Sequence, residues 1–423
     1  MLDFLPRLSG RPRSIMKLKR VPEDFQVEEL PLVPLGEPRG PFVLYRLTKR
    51  GLGTLEAIES ICRRWNLPGR KVSYGGLKDR HAQTIQYLTI FGGPEWPLHE
   101  NRLDLEPVGR LAEPYGPAHF RGNRFHVVIR DLTPEALERA REAIKGVPTD
   151  GLPNYFDDQR FGSVGFGGEF IAHAWLRGEH EKALRLAIAD PNPSDRPGTK
   201  VEKAILTEHW GDWNQAKAAL DRSHARSLVT YLVDHPTDFR GAFARLRREL
   251  RSLYFSAFQS HLWNLILGRW IERNTRESQR VKVEFKVARL PIQRGLDPDQ
   301  AKQLAESRIP LPASRTPLPD GPLSNVAQEV VAEFGLTWPE LRVKHLKDVF
   351  FSKGTRPALF FPEHLEGVDA IDELAPRRKK LSLSFELPKG AYATLLVKRV
   401  TDAAEPGFDM ADPPETLEAE GES

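Results

Sequence analysis

The run Val72-Ser73-Tyr74-Gly75-Gly76-Leu77-Lys78-Asp79-Arg80-His81-Ala82-Gln83-Thr84-Ile85-Gln86-Tyr87-Leu88-Thr89-Ile90-Phe91 joins two kinds of chain. Val72 to Tyr74 and Thr84 to Phe91 are rich in β-branched and aromatic residues, which suit a pleated, half-buried surface, and both read as strands. Gly75-Gly76 breaks the first, so an irregular stretch from Gly75 to Gln83 lies between two strands. That stretch carries one carboxylate, Asp79, directly between two cations, Lys78 and Arg80. Adjacent positive charge keeps a carboxylate ionised, which suits a nucleophile or a base. An Asp in a glycine-led loop equally suits a turn or an ion pair.

Working outward, Val43 to Leu47 reads as a strand, and Thr54 caps a helix whose apolar residues Leu55, Ile58, Ile61, Cys62 and Trp65 recur at helical spacing. Asn123 to Arg130 alternates, with Phe125, Val127 and Ile129 on one face and Arg124, His126, Val128 and Arg130 on the other. Thr133-Pro134 then opens a helix to about Lys145. Strands interleaved with helices through short turns predict an α+β or α/β sheet domain. From Phe161 onward helical patterns take over, at about Glu181 to Ala189, Trp213 to Leu220 and Phe243 to Arg273, the last with a break expected near Ser256. The proline-rich stretches Pro191 to Pro197 and Pro310 to Pro322 read as exposed loops. The strand signal returns at Leu381 to Leu387, and Pro388-Lys389-Gly390 turns the chain into Ala391 to Val400, a hairpin expected to rejoin the N-terminal sheet. The expected organisation is a sheet domain made from both chain ends, residues 1–160 and 346–401, around an inserted helical domain, residues 161–345.

The charge balance points to a partner. Against 62 Lys+Arg stand 58 Asp+Glu, and eight of the acidic residues lie after Thr401, where there is no Lys or Arg. Residues 1–401 therefore carry +12, and residues 402–423 read as an acidic, disordered tail. A basic body fits a polyanionic partner. With 40% hydrophobic residues the chain can bury a real core. It holds no apolar run of about 18 residues, so no membrane helix is expected, and its basic N-terminus lacks the apolar region of a signal peptide. A lone Cys62 makes neither an intrachain disulfide nor a cysteine zinc site, which fits a reducing, cytoplasmic setting. There is no His-Glu-x-x-His, no Cys pair and no P-loop, and Gly162 to Gly168 does not fit Gly-x-Gly-x-x-Gly, so neither a metal nor a cofactor is expected.

The segment Gly76 to Gln86 resembles the signature of the TruD family of tRNA pseudouridine synthases, Gly-x-Lys-Asp-x-x-Ala-x-Thr-x-Gln, around that family's catalytic aspartate. Four further elements follow in the family's order. Lys19 with Pro22-Glu23-Asp24-Phe25-Gln26-Val27-Glu28 resembles its Lys…Pro-x-Asp-Phe-x-Val-x-Glu element, and Gly122-Asn123-Arg124-Phe125 its Gly-Asn-x-Phe element. Pro153-Asn154-Tyr155-Phe156 with Gln159-Arg160-Phe161-Gly162 matches Pro-Asn-Tyr-Phe-x-x-Gln-Arg-Phe-Gly, and Leu387-Pro388-x-Gly390-x-Tyr392-Ala393-Thr394 matches its closing element. Asp157 stands where many members have Gly. The middle of the chain, from about Ser163 to His345, resembles the family mainly through Tyr254 to Asn264 and is longer than in compact members.

The resemblance implies an α+β fold: a pseudouridine-synthase-type catalytic domain with a central mixed, largely antiparallel sheet, plus a mainly helical inserted TRUD domain, the two forming a cleft for folded RNA. It implies a cofactor-free isomerisation of uridine to pseudouridine in tRNA, at position 13, on a target uridine flipped out of its stack. Asp79 becomes the nucleophile or base, with Lys19 as the nearby cation and Lys78 and Arg80 as weaker candidates. Phe25, Asn123 and Tyr392 are expected to hold the flipped base, and Glu28, Asn154, Gln159 and Arg160 to support the site. The partner is tRNA, with no membrane and no obligatory protein partner evident. Two other readings stand beside it: a non-catalytic RNA-binding module, which keeps the basic body but has no need of Asp79, and a nucleoside or glycoside hydrolase, which needs a second carboxylate such as Glu28.

Overall fold

The computed structural model describes residues 20–80, 82–192 and 195–404. Lys19, His81 and the acidic tail beyond Ala404 lie outside the described residues, as do the side chains from Asp402 on. The chain divides into two compact units, one of residues 1–148, 361–393 and 397–423, the other of residues 149–360 and 394–396. The joints fall outside the 161–345 span expected for the insertion because Leu152–Pro153 pairs with Leu359–Phe360, which draws both flanks into the second unit.

In the first unit β1 (Phe25–Pro31), β2 (Phe42–Arg50), β3 (Val72–Tyr74), β4 (Gln83–Phe91), β5 (Leu98–Glu100), β6 (Leu103–Leu111), β7 (Phe120–Leu132), β8 (Glu363–Ile371) and β9 (Lys379–Pro388) form one sheet. Its order is β8-β9-β7-β1-β4-β2-β6-β5, with β3 beside β4. Only β1 and β4 run parallel; the other pairings are antiparallel, which is the mixed, largely antiparallel sheet that the family resemblance implies. The outermost strand, β8, is nearly all exposed, and no described strand covers its far side.

The helix α1 (Thr54–Arg64) lays Ala57 and Ile61 on Val43, Tyr45, Leu47, Leu88 and Ile90, one core of the unit. A second core, of Leu44, Tyr87, Leu111, Tyr115 and Phe120, uses the side chains that alternate to the opposite face of β2 and β4. Two details of α1 depart from the sequence reading. Leu55 points to solvent at 52% exposure, and the N-cap is Gly53, whose N–H bonds Glu56 Oε2 at 2.8 Å. Thr54 is thereby the first helical residue, and its hydroxyl serves the Asp79 loop instead. The helix α2 (Pro134–Lys145) starts as expected, with Thr133 Oγ1 accepting the Ala136 N–H at 3.1 Å.

The expected hairpin after Pro388 is absent. Gly390 turns with φ +84°, and the chain enters a helix, Ala393–Ala404. Ala393, Leu396, Val397 and Val400 are buried at helical spacing, and that period outweighs the β-branched composition that suggested a strand. The hairpin partner of β9 is β8, whose polar, exposed sequence gives little strand signal.

The second unit is centred on the helix Arg248–Asn274, which buries Phe255, Phe258, Leu262, Trp263, Ile266, Leu267 and Ile271. It runs unbroken through Ser256; the break lies earlier, at residues 245–247, after the short helix Phe239–Ala244. An antiparallel pair, Arg280–Phe285 with Ala288–Gln293, interrupts the helical texture. The alternation of Val281, Val283 and Phe285 with charged neighbours carried that strand signal.

Candidate active site

Residues 75–82 connect β3 to β4, and three polar anchors fix them. Lys78 donates its N–H to Thr54 Oγ1 at 2.9 Å, and the same hydroxyl donates to Gln86 Oε1 at 2.9 Å. Gln86 Nε2 closes the circuit on the Gly76 carbonyl at 3.3 Å. Gly75 is obliged to be glycine by close approach, since a Cβ there would lie 2.8 Å from the Phe120 ring. The last residue of the quoted run's signature thus acts as a brace for the loop that holds Asp79.

The two cations beside Asp79 are each bound to another carboxylate. Lys78 Nζ sits 2.9 Å from Glu29 Oε1, in a pair almost wholly buried, and 4.9 Å from the centre of the Phe120 ring. Glu29 Oε2 takes the Tyr115 hydroxyl at 3.0 Å and the Tyr87 N–H at 3.1 Å, satisfying a backbone donor just where the β1–β4 pairing ends. Arg80 reaches Glu56 at 3.1 Å in a pair about half exposed. Asp79 itself is half-buried.

A cation that sequence reasoning passed over lies beneath the loop. Lys49, on β2, is wholly buried, and its Nζ donates to the carbonyls of Leu52 at 2.6 Å and Asp79 at 2.9 Å, with that of Lys78 at 3.5 Å. Burial pushes its pKa down from the usual lysine value to about 8; the negative charges of Asp79 and Glu56 pull it up, and Lys78 pushes it down. In the sequence, a lysine followed by an arginine near the end of a strand carries no mark of burial.

The pairing register brings further residues to the same face of the sheet. Lys49 is opposite Thr84, Thr84 opposite Val27, Val27 opposite Phe125, and Phe125 opposite Phe385. Paired residues share a face, and residues two apart along a strand do too, so Phe25, Asn123 and Leu387 belong to it as well. Phe25 is 6% exposed and stands edge-on to Phe125 at 6.2 Å, while Phe125 stacks on Phe385 at 5.4 Å. Gly122, ahead of Asn123, has no room for a side chain because a Cβ would collide with the Leu387 carbonyl. Among the described residues, Asn123 Oδ1 and Thr84 Oγ1 are buried without a hydrogen-bond partner. Tyr392, just past β9, is half-buried.

Glu28 projects from the opposite face, where Arg124 meets it at 3.3 Å and also bonds Glu386 at 2.7 Å. Counted from Pro22, the spacing Pro-x-Asp-Phe-x-Val-x-Glu ends on Glu29, the residue that the fold buries. Asp24, from the same element, lies in a buried cluster with Arg130 at 2.8 Å; Arg130 also reaches Asp372 at 2.9 Å. Burial pushes the Asp372 carboxyl up, but hydrogen bonds from the N–H groups of Leu374 and Asp131 and from Arg130 outweigh it and hold the group below its usual value.

Asn154, Gln159 and Arg160 belong to the second unit. Asn154 Nδ2 donates to the Pro357 carbonyl at 3.1 Å, and the Asn154 carbonyl accepts from Arg356 Nε at 2.9 Å. Phe156 is held at both backbone groups by Asn264, whose Oδ1 accepts its N–H at 2.8 Å and whose Nδ2 donates to its carbonyl at 2.7 Å. Arg160 lies over the Phe156 ring at 5.3 Å, and Gln159 is exposed. The carboxylate of Asp157 accepts the Thr394 hydroxyl.

The family model of tRNA pseudouridine synthase D (TruD) matches residues 5–400. The chain belongs to the TruD family. Among curated TruD relatives, one from Methanococcus maripaludis named "Probable tRNA pseudouridine synthase D 1" is 30% identical, over 91% of this chain and 99% of that protein. Another, from Methanocaldococcus jannaschii and named "Probable tRNA pseudouridine synthase D 2", is 32% identical over 91% of this chain and 92% of its own length. A TruD crystal structure from Methanosarcina mazei superposes with a TM-score of 0.72 at 26% identity, covering 92% of this chain and 94% of that one. The TruD family is one of isomerases, and its fold is the mixed α+β fold described above. Among the described residues no helix is long and apolar enough to cross a membrane.

Proposed function

We propose that this protein converts uridine to pseudouridine in tRNA, with the uridine at position 13 as its target and Asp79 as the reacting carboxylate. The observation that carries the reading is the setting of Asp79: a braced loop, with its neighbouring cations held by Glu29 and Glu56, above the buried ammonium of Lys49. In the reaction the C1′–N1 bond of the nucleoside breaks, the base turns, and a C5–C1′ bond forms. C5 loses a proton and N1 gains one, so the product is an isomer and no electron acceptor is consumed. Asp79 acts as an anion, either by attacking C1′ or by taking the C2′ proton.

The target base must leave its stack to meet a half-buried carboxylate. Support for a pocket that receives it comes from Asn123, whose buried Oδ1 has no partner among the described residues. An unsatisfied buried carbonyl of this kind costs about 1–3 kcal/mol, and the N3–H of uracil is a donor that would relieve it. Phe25 and Tyr392 supply aromatic surface, Tyr392 being the more open. Lys19 is the further cation assigned to the carboxylate. A glycoside or nucleoside hydrolase is disfavoured by Glu28, which projects from the other face of the sheet and is engaged by Arg124.

The test is incubation of the protein and of Asp79→Asn with unmodified tRNA, followed by base-resolved mapping of pseudouridine. Wild type should form it at one site and the variant should not. Formation by the variant at the wild-type rate, or none by wild type in any tRNA, overturns the reading.

A further inference from the structure

We propose that Lys49 is a positioning residue for Asp79, its buried ammonium tying down the loop through backbone carbonyls and setting a fixed positive charge beneath the carboxylate. The inference rests on the reading of Asp79 as the reacting group. It starts from an accounting of donors. A protonated lysine has three N–H bonds to place, and Lys49 points them at Leu52 O, Asp79 O and, at longer range, Lys78 O. Two of the three acceptors belong to the loop that presents Asp79, so the lysine fixes the backbone from which the carboxylate hangs.

Among the described residues, the other cations of the loop are committed elsewhere. On the loop, Lys78 is committed to Glu29 and Arg80 to Glu56. On α1, Glu56 also accepts the Gly53 N–H, at the far end of its pair with Arg80. The strands on either side of Lys49 offer it only Thr84 and Leu103, neither of which carries charge. An ammonium in so enclosed a place interacts strongly with a nearby carboxylate because little water screens the pair.

Burial also makes this charge losable. The pKa of Lys49 is about 8, so its ammonium deprotonates in a range where an ordinary lysine stays charged. Above that pH the neutral amine has two N–H bonds for three carbonyls and no charge beneath the loop, so the hold on the Asp79 backbone loosens. Activity should therefore fall on the alkaline side as Lys49 titrates, and Lys49→Arg, which keeps its charge, should lack that limb.

Two measurements test this. In the first, single-turnover pseudouridine formation is followed against pH for wild type, Lys49→Arg and Lys49→Met, with tRNA affinity and melting temperature measured alongside. We expect Lys49→Met to slow the reaction by roughly 100-fold while tRNA affinity stays within about threefold. In the second, which needs no activity, ¹³C at lysine Cε reports the titration of Lys49 in wild type and in Asp79→Asn. Removing the Asp79 charge should lower that pKa by about half a pH unit or more. A folded Lys49→Met with wild-type rate, an alkaline limb that persists in Lys49→Arg, or a Lys49 titration unmoved by Asp79→Asn would each overturn the inference. Should wild type itself form no pseudouridine, the reading of function fails, whereas active wild type with indifferent Lys49 variants defeats this inference alone.

Discussion

The hydroxyl of Thr54 donates to Gln86 Oε1 at 2.9 Å while it accepts the N–H of Lys78 at the same distance. One side chain at the first turn of a helix thus joins the strand after the Asp79 loop to the loop itself. Thr54→Val keeps the shape and removes both bonds. It should cost about 1–3 kcal/mol in stability, because Gln86 Oε1 and the Lys78 N–H lose their partner in a buried place. It should also slow turnover by about 10-fold or more, since small displacements of a reacting group are expensive in rate, with tRNA affinity little changed. A variant that melts earlier yet turns over normally would show that the loop does not depend on this hydroxyl.

The Asp24–Arg130–Asp372 cluster gives a dependence of stability on acid. The folded pKa of Asp372 is held below the usual 3.8 despite its burial, so its contribution is fully present above the unfolded value and is lost as pH falls through the folded one. Asp372→Asn should destabilise the protein by about 3 kcal/mol at neutral pH by stranding part of the Arg130 charge. The gap between wild type and variant should then close below about pH 4. Urea unfolding across that range measures it, and a gap that widens toward low pH would contradict the assignment.

In the second unit, Asn264 caps both polar groups of the Phe156 peptide. Asn264→Ala leaves an N–H and a carbonyl unpaired in the interior, which should cost about 2–4 kcal/mol. Asn264→Asp should fare nearly as badly, because a carboxylate can accept the Phe156 N–H but has no donor for the carbonyl. If calorimetry finds Asn264→Asp at wild-type stability, the second of these bonds has no energetic weight.

The strands flanking Asp79, and with them β2 and β7, were legible in the sequence because each alternates or concentrates β-branched and aromatic residues. So was α2, whose Thr-Pro start is a strong local signal. The strand β8 was not, since an exposed edge strand carries polar residues on both faces, and the helix Ala393–Ala404 was misread because Thr and Val are abundant in it. At the site, sequence could number the motif residues but not aim them. Lys78 and Arg80 flank Asp79 along the chain yet turn to Glu29 and Glu56, and Glu28 and Glu29 look alike until the pleat sends them to opposite faces. Lys49 had no motif of its own, and only packing makes it notable.

Among the described residues the sheet ends at β8, which has no strand on its far side, with Val368 and Ile371 exposed along it at 66% and 70%. Such a border invites a second molecule to add itself as the next strand. Glu363, Glu366 and Asp369 are spaced along the same strand, Glu363 paired with Arg121 and Asp369 with Arg141, so copies approaching edge to edge would bring these charged pairs into the seam. A copy adding itself as the next strand would have to take these paired charges out of water, which sets a cost against self-association along this border.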